Sequence, residues 1–158
     1  MRDSHLFDEA VKIFFAPFAQ TLSLLLSKIR DGVYEIQSPY FIMRIRLHTG
    51  HRRGLNVLFR PASLRDFDEN QPGGEYGIGN FALYHGQRIE EPIIETDADF
   101  LNVAENLGKA ARQFGTPYLL GAGGDWEAIK EMASGRNEES IEEIKQYRFP
   151  KNVRKEWL

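Results

Sequence analysis

Arg44, Arg46, Arg52, Arg53 and Arg60 crowd one stretch of the chain, Tyr40–Arg60, which reads YFIMRIRLHTGHRRGLNVLFR. A guanidinium group is planar, permanently charged and carries parallel N–H donors, so a row of them suits a carboxylate or phosphate held by two hydrogen bonds at once. Tyr40 and His48 lie among these arginines, and Tyr34 lies just upstream. Such a face could hold RNA or single-stranded DNA by charge and stacking. It suits an acidic protein surface equally well. A third reading is a solvated or internally neutralised sheet face with no ligand.

Other residue sets carry less chemistry. His48 and His51 could share a metal ion, but a metal site needs three or four ligands of fixed geometry. Only His5 and His85 remain, and neither belongs to a ligand-spaced pair. A hairpin turn explains the two histidines, and no metal is expected. Glu90, Glu91, Glu95, Asp97 and Asp99 could supply paired carboxylates for acid–base work. Acids at a helix start also complement the helix dipole. Gly77-Ile78-Gly79-Asn80-Phe81-Ala82 fits a loose dinucleotide pattern, yet Pro72-Gly73-Gly74 precedes it and no βαβ unit surrounds it. Gly121–Gly124 before Asp125 lacks the Lys-Ser/Thr pair of a phosphate-binding loop. No cofactor is expected.

The arginine row needs a hairpin to position it. Side chains alternate faces along a strand, so Phe41, Met43, Ile45 and Leu47 share one face and Ile42, Arg44, Arg46 and His48 the other. The second arm sets Leu55, Val57 and Phe59 against Asn56, Leu58 and Arg60. A loop symmetric about His51 places Leu47 opposite Leu55 and Ile45 opposite Val57. Upstream, a helix from Ser4 is expected to stop or kink at Ala16, before Pro17. Residues 21–30 read as strand or helix alike, and Val33–Gln37 as a strand after the Asp31-Gly32 turn. Residues 62–74 read as a surface loop, Glu75–Gly86 as a strand bent at a glycine, and Pro92–Glu95 as a short apolar segment. A helix from Thr96 or Asp97 ends at Gly115 and Pro117. A helix after Asp125, another over Glu138–Tyr147 and an apolar tail complete the chain.

Helix, then strands, then helices implies an α+β fold. The expected form is an N-terminal helix, an antiparallel sheet of four to five strands, and C-terminal helices packed on one face, in a single domain spanning 1–158. The 158 residues include no cysteine, which excludes disulfides and thiolate chemistry. Composition is 42% hydrophobic and 27% charged, in the range of folded domains. The N-terminus lacks a secretory signal pattern, and the apolar run near Ile13–Leu26 is too broken to span a bilayer. The expected location is the cytoplasm, with no membrane association. Net charge is −3, but Lys28–Arg65 holds eight basic and two acidic residues, and Asp66–Asp99 nine acidic and one basic. Either the segments match each other in the fold, or they form two surfaces of opposite sign.

The order of LFDEAVKIFF, a sheet through LNVLFRP, and DFLNVAENLGKAARQFGTPYLL running into GDWEAI resembles small bacterial α+β families of unknown function. It also resembles immunity proteins of polymorphic toxin systems. The resemblance lies in element order and assigns no residue a role. The absence of a coherent catalytic set beside the uneven charge distribution points to a non-catalytic protein that binds a macromolecular partner, a toxin among the candidates. Arg44, Arg46, Arg52, Arg53 and Arg60 are the expected contact residues. The alternatives are a nucleic-acid-binding module using the same arginines, and an enzyme working through the carboxylates near Glu90–Asp99.

Overall fold

A computed structural model describes residues 2–48, 53–64, 67–70, 73–90 and 92–135. His51, Arg52, the helix expected over Glu138–Tyr147 and the apolar tail lie outside these residues. The chain divides into two compact units, Met1–Gly124 and Asp125–Leu158. Of the second, the structure describes a helix over 126–135 in which Ile129 and Ala133 are buried. Among the described residues no helix is long and apolar enough to cross a membrane.

The first unit is α+β. Helices α1 (Arg2–Phe14) and α2 (Ala16–Thr21) precede strands β1 (Leu25–Arg30), β2 (Val33–Gln37), β3 (Phe41–His48), β4 (Gly54–Pro61) and β5 (Tyr76–Gly77). Then come α3 (Ile78–Tyr84), α4 (Asp97–Ala110), a π-helical turn (Ala111–Gly115) and α5 (Thr116–Leu119). The five strands form one antiparallel sheet in sequence order. The hairpin register is the expected one, with Leu47 opposite Leu55 and Ile45 opposite Val57.

Helices α1, α3, α4 and α5 all pack on one face of this sheet. Ile36, Met43, Ile45, Val57 and Phe59 form its apolar floor, each 2% exposed or less. Phe59, Phe81 and Tyr118 meet ring to ring at 5.1 and 4.8 Å. Burying aromatic side chains of this size dominates the stability of a small core.

Local chemistry sets the element ends. The α1–α2 break falls at Phe15, one residue before the expected Ala16, where Pro17 has no N–H to donate to the preceding turn; Ala16 itself is helical. Thr96 caps α4 in a capping box: its hydroxyl accepts from the Asp99 N–H, and the Asp99 carboxylate accepts from the Thr96 N–H. The Thr96 and Glu95 N–H groups, both donating to it, hold the Asp99 carboxyl below its ordinary value.

Two expectations are corrected. The helical path does not end at Gly115 and Pro117. Residues 111–115 form a π turn, after which Pro117 sits in the first turn of α5, where its missing N–H costs nothing. A Cβ on Gly115 would lie 2.4 Å from Phe59 Cζ, so the glycine is there for close approach to the sheet. Glu75–Gly86 is a two-residue strand leading into α3 rather than a bent strand, because Ile78, Phe81 and Ala82 recur at helical spacing and are buried.

Candidate functional site

The face of the sheet away from the helices carries Glu35, Arg44, Arg46, Asn56, Leu58 and Arg60. Alternation puts them there, and the strand register brings Glu35 directly beside Arg44. Glu35, Arg44 and Arg60 are nevertheless buried. The covering groups are Phe67 and Glu69, which lie between β4 and β5 in the chain and contact the arginines of this face. Phe67 stacks on both guanidinium groups, its ring centroid 4.2 Å from Arg60 Cζ and 5.0 Å from Arg44 Cζ. Leu64, Phe67 and Gly74 close against one another. A Cβ on Gly74 would lie 2.9 Å from Leu64, and its φ of +85° favours glycine as well.

Beneath Phe67 lies a balanced ion-pair network. Arg44 Nη2 and Arg60 Nη2 each donate to Glu35 Oε2 at 3.2 Å, and Gln37 Nε2 donates to Glu35 Oε1 at 3.1 Å. Arg44 also donates through Nη1 to Glu69, whose other oxygen accepts from Arg30 Nη2 at 2.6 Å. Arg60 Nη1 donates to Glu75 at 3.3 Å, and Arg44 Nε lies 3.4 Å from the same carboxylate oxygen. The Arg30 hydrogen bond holds the Glu69 carboxyl below its ordinary value. Burial pushes the Glu75 carboxyl up, against the pull of Arg44 and Arg60.

A second cluster lies at the end of the β3–β4 hairpin. Arg53 Nη2 donates to Asp3 at 3.0 Å and to Asp97 at 2.9 Å, and these carboxylates hold its guanidinium firmly protonated. Glu69, Glu75 and Asp97 of the acidic segment therefore pair with arginines of the basic segment. Internal matching, one of the two readings of the charge asymmetry, holds for these three carboxylates, while Glu90 and Glu95 stay exposed.

The four described arginines of the row thus do not share one open surface. Arg44 and Arg60 lie in the buried network, and Arg53 is clamped between two helix-borne carboxylates. Arg46 is half-buried and makes no ion pair among the described residues. Arg52 lies outside those residues. Of the carboxylates near Glu90–Asp99, Asp97 binds Arg53, Asp99 completes the helix cap, and Glu90 and Glu95 are exposed. Among the described residues no three histidine or carboxylate side chains could jointly hold a metal ion.

A feature with no single-residue signature lies beside Arg53. A cleft of about 370 Å³ opens between β4, the segment after α3, and α4. Leu55, Pro92, Ile93, Ile94, Val103 and Leu107 supply its apolar lining, and His48, Arg53, Asn56 and Glu90 its polar groups. Ile93 stands on the lip with 72% of its surface exposed. Comparison with family models, curated proteins and solved structures finds no match to this chain.

Proposed function

We propose that this protein acts by binding a protein partner, without catalysis, and that the partner docks at the cleft beside β4. One observation carries this reading: a concave surface with an apolar wall and polar groups beside it opens next to a strand edge, with an aliphatic side chain held out into water on its lip. Contiguous apolar surface of this kind gains free energy when a partner covers it. The arginine row, the alternative docking surface, has Arg44 and Arg60 already engaged by Glu35, Glu69 and Glu75. Phosphate binding there would have to break buried ion pairs first. A toxin neutralised by complex formation is one partner of the proposed class, in keeping with the resemblance in element order to immunity proteins.

The test is nuclease-treated affinity capture with the wild type and with Ile93→Asp, an exposed position where the aspartate leaves the fold intact. Any protein retained is then purified and titrated calorimetrically. A partner that binds the wild type one-to-one and the variant at least tenfold more weakly supports the reading. Equal binding to both moves the docking surface elsewhere. Capture of nucleic acid alone, released at raised salt, refutes the proposal.

A further inference from the structure

The cleft runs along main chain that the sheet itself leaves unused. In β3, Leu47 N–H donates to Gly32 O at 2.7 Å, so residues of its parity turn their main-chain groups toward β2. Tyr40 O accepts from Ala62 N–H at 2.9 Å, so the alternate residues turn theirs toward β4. Their partners in the register are Gly54, Asn56, Leu58 and Arg60. By the alternation of antiparallel ladders, Leu55, Val57 and Phe59 then direct their N–H and C=O groups away from β3. Strand β5 covers that edge only at Leu58–Gly77 and Phe59–Tyr76. The Leu55 main-chain groups therefore face the cleft, with no backbone partner among the described residues.

We infer that the cleft takes an extended segment of the partner as an added strand on β4, with aliphatic residues alternating with acidic ones. This rests on the partner-binding reading and names the chemistry of its site. An added strand presents alternate side chains to the two faces of the sheet. On the helix side its side chains enter the apolar cleft against Leu55, Ile94, Val103 and Leu107, which requires aliphatic residues. On the other side they come up beside Asn56 and, one strand further in, half-buried Arg46, which pulls on the Glu75 carboxylate from a distance but makes no close ion pair among the described residues. An acidic side chain there supplies that pair. Glu90 lines the cleft itself, which confines the acidic residues to the Arg46 side.

The test uses the full chain and a synthetic hexapeptide, acetyl-Glu-Val-Glu-Ile-Glu-Val-amide, with versions carrying Lys or Gln in place of Glu. Two further versions are N-methylated on alternate amides. Binding is read by fluorescence anisotropy and by amide hydrogen exchange at Leu55. The expected result is saturable binding of the acidic peptide that slows exchange of the Leu55 amide. One N-methylated frame loses affinity by about tenfold or more while the other keeps it, because only one set of amides faces β4. Arg46→Gln weakens the acidic peptide about two- to fivefold, in the range of a surface ion pair, and leaves the Gln version unchanged.

Equal binding of the Glu and Lys peptides overturns the inference, as does equal sensitivity of both N-methyl frames or unchanged Leu55 exchange. A concentration-dependent dimer that Ile93→Asp dissolves also overturns it, since a second copy would then occupy the edge. Failure of the peptide with successful capture of a partner rejects the added strand alone. Failure of the capture experiment leaves the peptide result standing.

Discussion

Glu35→Gln removes one charge from the ion-pair network while keeping the shape of the side chain. Glu35 accepts from Arg44, Arg60 and Gln37, and the two guanidinium side chains are only 7% and 10% exposed. Arg30, Arg44 and Arg60 balance Glu35, Glu69 and Glu75, so the substitution leaves a surplus positive charge under Phe67. Removing one partner of a buried ion pair costs about 3–5 kcal/mol. Arg44 keeps Glu69 and Glu75, and Arg60 keeps Glu75, so the lower end, about 3 kcal/mol, is expected. With a urea m-value of about 2 kcal/mol per molar, the unfolding midpoint drops by about 1.5 M. The double variant Glu35→Gln/Arg60→Met should lose less than the sum of its single variants, because it removes both halves of one pair. A midpoint shift below about 0.3 M at unchanged m would mean that water reaches these charges and that Phe67 does not seal them.

Glu69, held below its ordinary value by Arg30, adds stability above the unfolded-state value near 4.5 and loses it as pH falls through the lower folded value. The thermal-melt gap between wild type and Glu69→Gln should accordingly narrow below about pH 4.5; a constant gap refutes the assignment. Thr96→Ala removes the α4 cap and should cost about 1 kcal/mol in denaturant unfolding, whereas Thr96→Ser should cost much less. Gly115→Ala drives a methyl group into the Phe59 ring and should cost about 1–3 kcal/mol, read as a lower melting temperature. An unchanged melting temperature would show that the π turn can shift away from β4.

The hairpin could be read from the sequence because period-two alternation and a symmetric loop overdetermine its register: a one-residue slip of β4 would turn Arg60 toward the core and Val57 and Phe59 away from it. The charge match was visible as an excess on each segment, but which acid meets which base depends on how residues 62–75 fold back. The one local hint was Phe67, the single aromatic residue in a mostly polar stretch. The π turn was invisible because Phe114, Gly115 and Pro117 spell helix termination by every local rule, and only the approach of Phe59 explains why the path continues. Of the cleft, Arg53 stood in the arginine row and Ile93 and Ile94 read as an apolar segment. Their convergence on β4 is a property of the fold, with no signature in their spacing.

The balanced network also constrains how this sequence can change. Arg44 and Arg60 share Glu35 and Glu75, so a substitution at any of these positions alters the electrostatics of the other three. Neutral drift at one of them is blocked unless a compensating change accompanies it. Descendants that keep this sheet should then inherit the four positions as a set, either charged together or apolar together, with the residue at position 67 following the choice.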